Sequence, residues 1–347
     1  MPSTGVEEQV ARTVTPSPAE RPLRVLSNIP ELDHLAPGDK IVHRYLGASN
    51  RALSAFRIFF ISFRYDVLLL DGGEPYLWLL CLLRWLLPFS GCRFVSVDIM
   101  FVKPVTWKQR LAARLQRVLL KRVDHFIHYF KDLDGYNRYF GITPERSTYV
   151  PFKVNSWEGI PPANELSADG DYIITGGRSL RDLDTFLAAM RLLTYPAVLL
   201  YHDRALMEQN GTPLSLDDLP ANVRPVEDDG SMASWLERMR GAKLIVLTTL
   251  PSSIRAIGVS SYLVAMALKK CVVMTDGPAT HGILSDEAIL VPPADPVALA
   301  DAIRRAWEDS SLRERTAEAG RRYAEALGGS DRLLADVLAV CERVARK

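Results

Sequence analysis

No apolar run in this chain is followed by G-x-G-x-x-G, so the dinucleotide fingerprint of nicotinamide enzymes is missing. The four cysteines, Cys81, Cys92, Cys271 and Cys341, are scattered and form no CxxC pair. That argues against a cysteine zinc site and for a reduced, cytosolic protein. The six histidines show no metal-ligand spacing. Net charge is only +1, so the chain as a whole has no electrostatic preference for nucleic acid. No short-period repeat is present, which excludes solenoids. The most apolar run, PYLWLLCLLRWLLPF (75–89), contains Arg84 and is too short to span a bilayer. The first twenty residues lack an apolar h-region and read as a flexible tail, 1–20.

What is present is an alternation of short apolar runs and longer helical patterns. LRVLSNI (23–29), DVLLLDGG (66–73), CRFVSVDIMF (92–101) and HFIHYF (125–130) read as strands, with helical segments between them. Their apolarity is continuous, as a parallel sheet covered on both faces requires. The rhythm breaks at a Pro-, Gly- and Asn-rich stretch from Lys153 to Gly170 and then resumes. The second series has strands DYIITGG, AVLLYHD, AKLIVLTT, CVVMTD and AILVPP. Its helices fall near 182–193, 231–240, 260–268, 296–307 and 311–325. The chain therefore reads as α/β, two doubly wound halves joined by a linker, with the active site in the cleft between them.

Two loops in the second half have the chemistry of an anion site. Gly258, Ser260 and Ser261 stand where a loop enters a helix. Helix N-termini offer unpaired N–H groups and partial positive charge, and glycine lets an anion approach the backbone. An N-cap role for a serine is the plainer alternative. Gly176 and Gly177 end a strand and are followed by Arg178 and Arg181. Guanidinium forks at a glycine turn suit a diphosphate. Asp182 and Asp184 form a DLD at the predicted helix start, where carboxylates favour the dipole; we read no metal site there.

Together GGRSLRDLDTFLAAM, NVRPVEDDGSMASWLERMRGAKLIVLTT, GVSSYLVAMALKKCVVMTDGP and ILVPPADPVALADAIRRAWEDSSLRERTAEAGRRYAE resemble the nucleotide-sugar-binding domain of GT-B glycosyltransferases of the family-4-like group. They follow the family's order and span 176–325, most of the second half. In the first half, HFIHYFKDLDGYNRYFGITPERSTYVPFKVN is similar to the end of that family's acceptor domain. The resemblance implies GT-B architecture, two Rossmann-like domains facing each other across a cleft. Residues 21–155 would bind acceptor, 156–170 link, 171–328 bind the nucleotide sugar, and 329–347 form a C-terminal helix packing back on the first domain. It also implies retaining sugar transfer from a nucleotide-diphosphate sugar; the lack of a convincing DxD, with two arginines and a helix end in its stead, adds the expectation that no metal or other cofactor is needed. The acceptor classes it leaves open are glycan, lipid-linked and small-molecule.

By resemblance the diphosphate contacts fall on Arg178 and Arg181, with Gly177 beside them, the distal phosphate on Ser260 and Ser261, and the main-chain base contact near Val226. Arg255 is a further candidate from its place in the same loop. The family's two glutamates, eight positions apart, are replaced by Ala256 and Val264. That departure keeps open a non-catalytic GT-B-like partner or binding protein. The catalytic histidine of the family has no counterpart, and Asp98 is the nearest match; Asp71 and Glu74 are second candidates at another strand end. His202 and Asp203 belong to the nucleotide half, where a structural role is expected.

Lys103 to Arg122 contains seven basic residues and no acidic one. Arg110, Arg114, Arg117 and Lys121 share one helical face, and Leu111, Leu115, Val118 and Leu119 lie on or near another. That pattern fits an anionic membrane surface, an anionic acceptor, or a core helix with a solvated basic face. We expect cytoplasmic protein, peripheral on the inner face of a membrane.

Overall fold

The computed structural model describes residues 21–34, 41–45, 51–72, 76–88, 91–166 and 169–346. The expected tail at 1–20 and the candidate Glu74 lie outside the described residues. The first half contains β1 (Leu23–Ser27), β2 (Ile41–Tyr45), α1 (Arg51–Ser62), β3 (Val67–Asp71), α2 (Leu77–Leu86) and β4 (Arg93–Val97). It continues with α3 (Trp107–Leu119), β5 (His125–His128), α4 (Asp134–Phe140) and β6 (Ser147–Tyr149). The second half opens with β7 (Ile173–Thr175), α5 (Leu183–Met190), β8 (Ala197–Tyr201), α6 (Arg204–Gln209), β9 (Val223–Glu227) and α7 (Met232–Arg240). Then come β10 (Leu244–Leu247), α8 (Val259–Ala267), β11 (Cys271–Thr275), β12 (Ile289–Val291), α9 (Pro296–Glu308) and α10 (Ser310–Leu327). The last helix is α11 (Ser330–Ala345).

Each half is a parallel six-stranded sheet, ordered β2-β1-β3-β4-β5-β6 and β9-β8-β7-β10-β11-β12. Strand order reverses between β1 and β3 in one sheet and between β7 and β10 in the other, the positions where such sheets open a crevice at the strands' carboxyl ends. Residues of β3, VLLLD, are buried up to Leu70, as a strand covered on both faces demands. The helices α1, α2 and α4 cover one face of the first sheet through Phe59, Leu80, Tyr136 and Phe140. The other face is covered by α11, whose Leu333, Leu334, Val337, Leu338 and Cys341 pack on Val25, Val67, Leu69 and Val95. The chain's last helix thus crosses back to complete the first domain's core. Trp157 and Ile160, in the stretch between the sheets, pack against the second domain.

Three elements are not among the expected ones. Both β2 and β9 are edge strands, where one side faces solvent and apolar continuity is not required. Pro225 inside β9 is tolerated for the same reason. The third is the short α6, capped by Asp203, whose carboxylate accepts from the Leu206 N–H at 3.1 Å. One boundary also moves: β4 stops at Val97 rather than running to Phe101, because Asp98 turns the chain with φ +48°.

Candidate active site

At the carboxyl end of β7 the chain passes through Gly177 at φ +112° and reaches Arg181, which is 4% exposed. The Arg181 guanidinium lies between two glycines. A Cβ on Gly177 would stand 2.5 Å from its Nε, and one on Gly258 would stand 2.8 Å from its Nη1. Gly258 is the N-cap of α8 with φ +84° and supplies no side-chain cap. So the glycines at both loops make room for one buried cation at an uncapped helix N-terminus. Arg181 Nη2 donates to Ser261 Oγ at 3.1 Å, while Nε and Nη1 are buried without a partner. Burial without a carboxylate pulls its pKa down to about 10, which leaves it charged at neutral pH. A buried, half-satisfied guanidinium is costly unless an anion completes it. Helix N–H groups and that cation together have the chemistry that attracts an anion.

The other expected donor residues take distinct places. Arg178 is exposed at the mouth of the loop, and its carbonyl accepts from Thr212 Oγ1 at 2.7 Å. Thr212 Oγ1 also accepts from the Arg181 N–H at 3.0 Å, so this threonine fixes the loop. Ser260 Oγ is held by Asn155 Nδ2 at 2.6 Å, and neither serine caps the helix. Val226 lies in β9, beside the end of β8. There His202 Nε2 stands 3.6 Å from Asp228 Oδ2. Ala256 is half-buried and Val264 is fully buried, so neither position holds a carboxylate. In the DLD, Asp182 is consumed as the cap of α5, accepting from Thr185 N at 3.0 Å and Thr185 Oγ1 at 2.7 Å, and Asp184 is exposed.

Across the cleft, Asp98 occupies the end of β4. Its backbone is in the left-handed region, an unfavourable conformation that Asp tolerates better than most residues. The loop beyond it is pinned by Tyr136, which donates to Ile99 O at 2.9 Å and accepts from Phe101 N at 3.1 Å. Burial, then the charge of Asp71, raise the Asp98 pKa to about 6, against an opposing pull from Arg255. Arg255 reaches over from the second domain, its Nη1 3.8 Å from Met100 Sδ. It stands three residues before Gly258, so one loop joins the anion site to Asp98. Asp71 and Asp98 share a cavity of about 310 Å³ with Glu31, Tyr129 and Lys153, closed by the start of α11.

Between the domains lies a cavity of about 580 Å³, floored by Thr249, Thr275 and Asp276 and walled by Asp132, Gly135 and Arg255. Thr249, in its floor, bridges to Arg181 through the backbone, while the Arg181 side chain is not part of the cavity lining. At Gly135 a Cβ would meet Ile254 at 2.6 Å, so glycine is what permits the domains to approach. His281 clasps them: Nδ1 is 2.9 Å from Asp132 Oδ2 and Nε2 is 3.2 Å from Asp276 Oδ2. Lys131 Nζ donates to Gly282 O at 2.6 Å beside it. No sequence pattern marks this clasp; a lone histidine has no spacing to read. The hydrogen bond that His281 donates to Asp132 is the main cause that raises the His281 pKa. The stabilisation it gives is therefore complete below the ordinary value of 6.5 and is lost as pH rises through the raised one. Since His281 is 50% exposed, the clasp contributes below about 1 kcal/mol. Small-angle scattering should show slight opening of the cleft as pH rises from below 6.5 into the alkaline range, absent in His281→Gln; an identical profile in both would remove the clasp.

No family model matches the chain, and no curated protein matches it. Solved structures do. A glycosyltransferase from Rickettsia africae superposes with a TM-score of 0.63 at 13% identity, covering 94% of this chain and 99% of that one. Anabaena HepE in complex with UDP gives 0.64 at 13% identity, with 93% and 100% covered. A sucrose-phosphate synthase from Thermosynechococcus elongatus gives 0.62 at 15%, with 93% and 99% covered. With two facing doubly wound domains, a return helix from the second to the first, and near-complete coverage of these enzymes, the chain has the GT-B glycosyltransferase fold.

Proposed function

We propose that the protein is a glycosyltransferase that moves a sugar from a nucleotide-diphosphate sugar to a glycan, lipid-linked or small-molecule acceptor. The observation that carries this is the Arg181 guanidinium, buried and unpartnered on two nitrogens at the uncapped start of α8. The Anabaena relative was crystallised with UDP and with UDP-glucose, which supports a nucleotide sugar as the ligand. In transfer, the bond from the anomeric carbon to the phosphate oxygen breaks and the nucleoside diphosphate leaves with the electron pair. Arg181, the α8 N–H groups and Arg178 offset its charge. An acceptor oxygen bonds to the anomeric carbon. With retention, the departing diphosphate takes the acceptor's proton and ionised Asp98 steadies the oxocarbenium charge. With inversion, Asp98 itself takes the proton. Resemblance favours retention, and the anomeric configuration of the product, read by NMR, decides it.

A second reading, a GT-B-like binding partner without turnover, is favoured by Ala256 and Val264 in place of two carboxylates. A panel of nucleotide sugars separates the two. Stabilisation by one of them with slow hydrolysis supports the enzyme; stabilisation without hydrolysis or transfer supports the partner. Because Asp182 is consumed as a helix cap and a cation already faces the diphosphate, turnover should survive excess EDTA. Loss of activity restored by Mg²⁺ or Mn²⁺ would reverse that assignment. The basic stripe of α3 supports a cytoplasmic protein held peripherally on an anionic membrane, each basic group near the surface contributing roughly 1 kcal/mol.

A further inference from the structure

Among the described residues, the first domain exposes an apolar surface that its own core does not use. Of the thirteen residues of α3, only Ala113 is buried. At about 100° per residue, Trp107, Leu111, Leu115 and Val118 form one stripe, and it points away from the side that carries Ala113. Trp107 is 70% exposed and Leu115 62%. Arg110, Arg114 and Arg117 flank the stripe on one side and Lys108 lies on the other. The neighbouring helices continue the surface with Phe56 and Phe60 of α1 and Trp85 and Leu86 of α2, all exposed. A core-packing role for the α3 leucines, one of the alternatives the sequence left open, is not what the structure shows.

Behind this face lies a cavity of about 380 Å³. It runs between the loop after β4 and the inner side of α3, lined by Trp78, Ile99, Met100, Val102, Ala112 and Phe140. Among the described residues of its lining, Lys103 is the one that carries a charge. Its lining adjoins that of the Asp98 cavity in the chain, at Asp71–Gly72 and Asp98–Ile99. Gly72 is required there, since a Cβ would stand 2.4 Å from Ile99 Cα.

Resting on the glycosyltransferase reading, we propose that this face seats the protein on an anionic bilayer and that the acceptor is an anionic amphiphile of that bilayer. Its chain enters the cavity beneath α3, and its head meets Lys103, Arg255 and Asp98. The charge argues for the occupant: twenty residues carry seven basic groups and no acid around an apolar stripe. No helix among the described residues is long and apolar enough to cross a membrane, so the face lies on the bilayer.

Vesicles of phosphatidylcholine with 30% phosphatidylglycerol should float the protein, and vesicles of phosphatidylcholine alone should not. Raising NaCl from 0.1 to 0.5 M should lower the bound fraction at least fivefold, because salt screens the attraction. The variant Trp107→Glu/Leu111→Glu/Leu115→Glu, all at exposed positions, should lose flotation while its melting temperature holds. Decyl phosphate below its micellar concentration should stabilise the wild type, and butyl phosphate should not. Ala112→Trp, which fills the cavity from an exposed position, should abolish that stabilisation. Three results would overturn the proposal: no flotation at low salt, equal stabilisation by both phosphates, or a dimer that the triple variant dissolves. Donor hydrolysis by the wild type is measured in parallel. Its absence counts against the enzyme reading, while flotation and alkyl phosphate binding report on this face by themselves.

Discussion

Asp98→Asn should turn over at least about a hundredfold more slowly than the wild type and yet melt later at neutral pH. The loss of rate follows from either role of the carboxylate, since a positioned proton acceptor or charge stabiliser contributes about 10²–10⁴. The gain in stability follows from its environment. Burial and the Asp71 charge raise the pKa from the ordinary 3.8 to about 6. The folded state then holds the proton more tightly than the unfolded one, so stability falls as pH rises from near 4 through 6. Above that range the ionised group opposes folding by at most about 3 kcal/mol, two pH units at about 1.4 each. Asparagine removes the charge and accepts the φ of +48° at this position. The wild type's turnover should climb through about pH 6, and the variant's melting advantage, clear at pH 8, should vanish near pH 4. Activity within threefold of wild type would take Asp98 out of the reaction, and no stability difference at pH 8 would overturn the raised pKa.

The fold was legible because a parallel sheet covered on both faces forces a signature into the sequence. The interior strands β3, β10 and β11 are buried on both sides and read as near-continuous apolar runs, and β4 does so apart from Arg93 at its start and the buried Ser96. At the sheet edges that constraint disappears. Arg224 and Glu227 of β9 are exposed, so nothing in VRPVE distinguishes it from a loop. The outward stripe of α3 was ambiguous for a different reason. A helix that buries Leu111, Leu115 and Val118 in a core has the same periodicity as one that presents them to a bilayer. Only the placement of Ala113 and Leu120 on the inner side tells them apart.

The anion site was half legible. Gly258 and Gly177 are conspicuous because a glycine at a strand end or a helix start points to a positive φ or a close approach, and both apply here. Which arginine fills the space depends on where the chain turns after Gly177, and spacing does not reveal that. Leu180 adopts φ +50° and redirects the loop, so that the following residue, Arg181, enters the site while Arg178 stays outside. Arg255 and Asp98 are 157 positions apart, and their approach exists only once the domains face each other.

The largest effect on donor binding should come from Arg181→Met. The affinity for whichever of UDP, GDP or ADP binds should fall at least about a hundredfold, as expected when two charge-assisted hydrogen bonds of about 1.5–3 kcal/mol each are removed. Methionine keeps an unbranched chain in the passage between Gly177 and Gly258. The ligand-free variant should therefore melt at the wild-type temperature or above it. Burial alone lowers the Arg181 pKa from 12.5 to about 10, which sets the unpaired charge at about 3 kcal/mol against the empty fold as an upper bound. Arg178→Ala offers the contrast. Its exposed guanidinium is screened by water, and its removal should weaken binding by less than about tenfold. Calorimetry on the two variants and differential scanning of the ligand-free proteins give the four numbers needed. Unchanged nucleotide affinity in Arg181→Met would leave a buried cation with no anion to answer it and would take away the main support for a diphosphate site. Lower stability with normal binding would make Arg181 a packing residue. Weak binding together with undiminished stability is the combination expected of a cation held at a cost for its ligand.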